Sequence, residues 1–133
     1  MVYSKIMDYN NYSYDYSIRK ILEEAGYLDI FEDIVANTME TEGDKAIGLT
    51  LGIYGRKAEV LRTEFFDKRG FGENDTLYLG DSRDDEPVAE ILATGNFIVP
   101  FLAPDQFKQE MASKHKAFVP ESEEDLLKYL QKK

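Results

Sequence analysis

Apolar residues at Ile18, Ile21, Leu22 and Ala25 recur at the i, i+3, i+4, i+7 spacing of one helix face. Gly26 follows as a C-terminal stop. The same alternation of apolar runs and helical stripes continues down the chain. Residues 2–7 carry Val2, Ile6 and Met7 and predict a short strand, and Asp33-Ile34-Val35-Ala36-Asn37 predicts a buried one. Residues 38–56 hold a turn signal at Gly43-Asp44, then a β-rich run interrupted by Gly48 and Gly52, and predict a short extension or hairpin. A helix over 57–68 places Ala58, Leu61 and Phe65 on one face, with Gly70 beyond its end. Leu77-Tyr78-Leu79 reads as a buried strand, residues from Pro87 as a helix, and 97–101 as a buried strand in which Pro100 marks the end or an edge. A helix over 104–113, a short strand at 116–119 and a last helix complete the series. Ser122-Glu123-Glu124-Asp125 caps that last helix, and Leu126, Leu127 and Leu130 form its apolar stripe. Strands that alternate with helices predict one α/β domain, residues 1–133, with a mostly parallel sheet covered on both faces.

Composition narrows the class. The 133 residues are 43% hydrophobic and 13% aromatic, enough for a real core. Sixteen Lys and Arg against 26 Asp and Glu leave a net charge of −10. That balance argues against nucleic acid, whose phosphates require cations. No apolar run reaches the roughly 20 residues needed to span a bilayer, so no membrane partner is expected. The first residues lack a basic region followed by a long apolar stretch, and the chain has no Cys; both suit a cytoplasmic protein. Without Cys there is neither a disulfide framework nor a thiolate nucleophile.

Chemistry concentrates where the Leu77-Tyr78-Leu79 run stops in Gly80-Asp81-Ser82-Arg83-Asp84-Asp85-Glu86-Pro87. Gly80 permits a tight turn. Asp81 stands at the carboxyl end of a strand, where open α/β sheets place their ligands. Asp81 and Asp85 could converge on Mg²⁺, which takes carboxylate and water oxygens. Acids decorating a strand-to-helix turn are common, but the four-residue spacing after an abrupt strand end is more specific. Lys57 opens a helix, where a cation opposes the dipole; on its own it reads first as a solvent-facing lysine, and alternatively as one that neutralises an anionic site or ligand. Ser4, or alternatively Thr38, offers a hydroxyl near a strand end. Asp8-Tyr9-Asn10 reads first as turn chemistry, although an Asp there could act as a nucleophile. His115, the only His, lies between Lys114 and Lys116 and suits a helix C-terminus better than catalysis.

These segments, in this order, resemble the haloacid dehalogenase superfamily of phosphohydrolases. Gly80-Asp81-Ser82-Arg83-Asp84-Asp85 looks like its fourth motif, Gly-Asp-Ser-x-x-Asp. Residues 25–37 are similar to the segment leading into the family's third strand. Lys57 matches the third-motif Lys, and Gly95 before the 97–101 strand also fits. The resemblance implies a three-layer, Rossmann-like sheet, truncated and without a cap domain. It implies Mg²⁺ held by Asp81 and Asp85, Lys57 paired with nucleophile and phosphate, Ser4 as the second-motif hydroxyl, and a phosphorylated small molecule as substrate.

One departure matters. The family's first motif, an apolar strand ending in Asp-x-Asp, is missing near the start. With Ser4 as the second motif, that strand falls upstream of residue 1. The protein is then incomplete as an enzyme by itself, and a homodimer or partner chain would supply the strand. A catalytically inactive binding or assembly module is the alternative. A rival alignment makes Asp8 the nucleophile, Asn10 a degraded acid/base and Thr38 the second-motif hydroxyl. Asn10 could not exchange a proton, and such assistance is typically worth about 10²–10⁴-fold in rate.

Overall fold

The computed structural model describes residues 15–30, 38–42, 45–50 and 55–133. The chain divides into two compact units, Met1–Arg56 and Lys57–Lys133. In the first, helix α1 spans Asp15–Glu24 and buries Leu22, while Ile21 of the predicted stripe is exposed. Gly26 ends the helix in the left-handed conformation, at φ 76°. Its N–H donates to the Glu23 carbonyl and the Tyr27 N–H donates to the Leu22 carbonyl. That paired closure of the last turn favours glycine at this position. The expected hairpin is present: β1 (Thr38–Glu42) pairs antiparallel with β2 (Lys45–Thr50), with an irregularity between Glu40 and Thr41. The predicted strands at 2–7 and 33–37 lie outside the described residues.

The second unit carries the candidate chemistry. Helix α2 begins at Lys57–Val60 and continues as a wider π-helical segment, Leu61–Asp67. Leu61 and Phe65 are buried, as the stripe predicted. The widening has no signature in the sequence, because the spacing of Leu61 and Phe65 suits either helix. Strand β3 (Tyr78–Leu79) pairs in parallel with β4 (Phe97–Ile98). A single parallel bridge then joins Ile98 to Phe118.

Both ladders are shorter than predicted, for local reasons. Pro100 has no N–H to extend β4. Lys116 takes a left-handed conformation, φ 55°, one residue after helix α4 (Asp105–His115), so the predicted strand at 116–119 shrinks to one bridge. Leu79 is 51% exposed, so β3 is only half-covered rather than buried. A 3₁₀ turn, Arg83–Asp85, leads into the four-residue helix α3 (Glu86–Ala89), which therefore starts just before Pro87.

The core of this unit joins Leu61 and Phe65 of α2, Val88 of α3, Phe97 and Ile98 of β4, and Phe107 and Met111 of α4. Each such side chain contributes about 1.5–3 kcal/mol when fully buried. The last helix, α5 (Glu123–Gln131), is capped by the Ser122 hydroxyl, which accepts from the Asp125 N–H at 3.1 Å. Its packing differs from expectation: Leu127 is exposed, and Tyr129 does the work, stacked on Phe118 with ring centroids 3.7 Å apart. Its hydroxyl donates to the Gly95 carbonyl. Among the described residues no helix is long and apolar enough to cross a membrane.

Candidate functional site

The site is built at the carboxyl end of β3, where Gly80 follows the strand and the chain turns through Asp81 and Ser82. Gly80 is needed there for space. A Cβ at this position would come within 2.6 Å of both the Asp85 Cβ and the Phe97 ring. The tight approach lets the backbone fold around the Asp85 side chain, which is nearly inaccessible, at 3% exposure.

Asp85 is the hub. Its Oδ1 accepts from the Lys57 ammonium at 2.8 Å and from the Tyr78 hydroxyl at 2.8 Å. Its Oδ2 accepts from the Asp81 N–H at 3.1 Å, the Ser82 N–H at 3.2 Å and the Ser82 hydroxyl at 3.2 Å. A carboxylate offers about four lone-pair positions, so five donors saturate it. Charge-assisted bonds of this kind are the strong ones, and burial removes competing water. The carboxylate thus ties the start of α2, the strand β3 and the loop after it to one point. The anion that Lys57 neutralises at its helix N-terminus is Asp85 itself.

Asp81 differs from Asp85 in every respect. It is exposed and meets the hub through its backbone N–H. The two aspartates expected to share a cation therefore play separate parts in this geometry: Asp81 offers a carboxylate outward, while the oxygens of Asp85 are already engaged. Among the described residues no three His, Asp or Glu side chains gather into a cation site. Mg²⁺ keeps several water ligands beside one or two carboxylates, and of this pair Asp81 is the exposed one.

Ser4, Asp8 and Asn10 lie outside the described residues. Thr38 opens β1, opposite Thr50 in the hairpin register. Lys57, Asp81 and Asp85 are thus the sequence-predicted residues that the described structure brings together. Tyr78 and Ser82 were not anticipated as members. Tyr78 read as one more apolar strand residue, and only its hydroxyl, beside a buried acid, signals more. Asn96 was also missed. It is buried and fully bonded, donating through Nδ2 to the Glu73 and Asn74 carbonyls and accepting from Lys133 at 3.0 Å. It fixes the residues that enter β3 against the start of β4.

A second polar cluster braces the turn from outside. Glu86 accepts from Lys114 and lies 2.9 Å from the His115 ring nitrogen. His115 thus sits at the end of α4, as its sequence context suggested. Bonding to Lys114, and then to His115, holds the Glu86 carboxyl down at about 2, against an ordinary 4.5. Glu86 in turn raises the Lys114 ammonium. A carboxyl depressed in the folded state stabilises the fold above its unfolded value and loses that contribution as pH falls through its folded one. The window therefore runs from 4.5 down to about 2. Glu86→Gln is expected to flatten the acid limb of stability in that window, as measured by urea midpoints at successive pH values. An unchanged acid limb would refute this assignment. Arg83 pairs with Glu110 at 3.0 Å nearby, an exposed bridge that contributes little.

No protein-family model and no curated protein matches the sequence. Among solved structures, a substrate-bound phosphoserine phosphatase complex is similar in fold. It shares a TM-score of 0.60 and 21% sequence identity, covering 90% of this chain and 51% of that one. The chain spans about half the length of that phosphatase. At such low identity the likeness speaks for the fold alone, an α/β arrangement with a small parallel sheet and helices.

Proposed function

We propose that the chain is a relative of the Mg²⁺-dependent phosphohydrolases that binds a phosphorylated small molecule at the end of β3 and is incomplete as an enzyme by itself. The observation that carries this reading is the Lys57–Asp85 pair at 2.8 Å, set beneath the Gly80–Ser82 turn in a fold similar to that of a phosphoserine phosphatase. A lysine ammonium carries a charge that a phosphate can pair with and three donors, one of which Asp85 takes here. Lys57 would orient the phosphate. Ser4, if it reaches the site, would donate its hydroxyl to a phosphate oxygen. Asp81 would be the carboxylate ligand for Mg²⁺, with further ligands from outside the described residues. When bound, Mg²⁺ would neutralise phosphate charge. Asp85 would hold Lys57 and the loop in place rather than touch the metal. The full three-layer sheet, its first strand supplied by a second copy or by a partner chain, belongs to the same proposal.

A second reading, a binding or assembly module without turnover, is favoured by the saturation of Asp85, whose oxygens are engaged by five donors. Hydrolysis of a generic phosphate monoester by the full chain, with and without Mg²⁺, separates the readings. The proposal expects little turnover by the chain alone. Mg²⁺-dependent turnover that is lost in Asp81→Ala would show a complete enzyme. Turnover indifferent to both metal and substitution would remove the phosphatase relationship from consideration at this site.

A further inference from the structure

The widened π-helical segment of α2 supplies Arg62 and Phe66 to an open cleft of about 300 Å³, which Glu73, Glu90 and Ile91 complete. π-Helical turns are rare and recur at functional sites. The volume lies at the small end of the range for ligand sites, so it suits a molecule of amino-acid size better than a nucleotide. The cleft shares no residue with the hub around Asp85. Glu73 precedes β3, whereas Asp81 follows it.

The backbone of the cleft is pinned. The Glu73 carbonyl accepts from the Ala93 N–H at 3.2 Å and from Asn96 Nδ2 at 3.0 Å. The Ile91 N–H donates to the Val88 carbonyl at 3.1 Å. The charged tips, in contrast, are not paired. Among the described residues, neither the Arg62 guanidinium nor the Glu73 and Glu90 carboxylates form an ion pair or a side-chain hydrogen bond. Glu90 acts on Lys114 only through space. One cation and two anions thus line the same cleft and stay apart, and the half-buried Phe66 and Ile91 supply its apolar surface.

We propose that this cleft binds a free α-amino acid with an apolar side chain. The ligand's carboxylate pairs with Arg62, whose planar guanidinium can hold a carboxylate through two bonds. Its ammonium faces Glu73 and Glu90. Its side chain covers Phe66 and Ile91, and the apolar area removed from water favours binding. A simple cation leaves Arg62 unmet, and a simple anion faces two carboxylates. A zwitterion complements both signs at once. The inference goes beyond the phosphate-binding reading and does not depend on it.

The test titrates L-leucine against the full chain through the millimolar range and follows the ring resonances of Phe66 by magnetic resonance. Arg62 is exposed, so Arg62→Gln leaves the core intact. The expected result is a saturable shift in wild type and about tenfold weaker binding in Arg62→Gln, the loss of one charge-assisted interaction. Isocaproate, which lacks the ammonium of leucine, and isoamylamine, which lacks its carboxylate, should each bind more weakly than leucine by a similar factor. A wild-type protein with no saturable shift would overturn the proposal. So would equal leucine affinity in wild type and Arg62→Gln, or isoamylamine binding as tightly as leucine.

Discussion

Replacing Asp85 with alanine is expected to destabilise the protein by about 3–5 kcal/mol, the cost of breaking a buried ion pair by removing one partner. Stability of an ordinary domain totals only about 5–15 kcal/mol, so much of the margin disappears. The change is large because one side chain satisfies five donors. Without it, the Tyr78 hydroxyl, the Ser82 hydroxyl and the N–H groups of Asp81 and Ser82 lose this acceptor together, and the Lys57 ammonium loses its counter-charge at 2.8 Å. Asp81→Ala supplies the contrast. Asp81 is exposed and contributes its backbone rather than its carboxylate to the hub, so its removal should change stability by no more than about 0.5 kcal/mol. Urea denaturation of the two variants checks both values. Equal effects would mean that the two carboxylates are structurally equivalent, contrary to the geometry.

The second large effect is expected at Gly80. Adding a single methyl in Gly80→Ala places a carbon 2.6 Å from Asp85 Cβ, 2.9 Å from Asp85 Cγ and 2.6 Å from the Phe97 ring. None of these can step aside cheaply. Asp85 is held by five bonds, and Phe97 is buried at 2% exposure. Overpacking of this kind typically costs about 1–3 kcal/mol. It should also push Asp85 off its donors, so the loss in thermal midpoint should come with a changed environment for Tyr78, readable in its ultraviolet absorbance. A stable Gly80→Ala protein with an unaltered tyrosine signal would show that the loop is looser than described.

These two residues also mark how far the sequence could be read. The Gly80-Asp81-Ser82-Arg83-Asp84-Asp85 stretch stood out because residue type, spacing and position after an apolar run all agreed. Lys57 at a helix start allowed either a solvent-facing cation or one paired with an anion, and the structure pairs it with Asp85. What the letters did not separate was role. Asp81 and Asp85 are the same residue type four positions apart, and only the three-dimensional fold turns one outward and the other inward. Gly80 suggested a backbone turn, whereas the space taken by Asp85 and Phe97 is what excludes a side chain. Tyr78 looked like core because its ring is core; its hydroxyl matters only once Asp85 is known to lie beside it.

The fold shows the same division. Helices α1, α2, α4 and α5 follow from apolar spacing and from end signals such as the Gly26 stop and the Ser122 N-cap, all local. Strand lengths and coverage do not, since they depend on neighbours. Leu79 reads as buried yet is half-open, Leu127 lies on the wrong face of α5, and the 116–119 strand is cut to Phe118 by the left-handed Lys116.

The central claim is that Lys57, held by Asp85, is an anion-binding group. It is tested most directly by titrating the full chain with inorganic phosphate in a calorimeter, comparing wild type with Lys57→Met. The account predicts saturable binding at one site in wild type, weakened by at least about tenfold in Lys57→Met, as expected for loss of a charge-assisted bond. Equal affinity in the two proteins, or no binding by wild type, would contradict it.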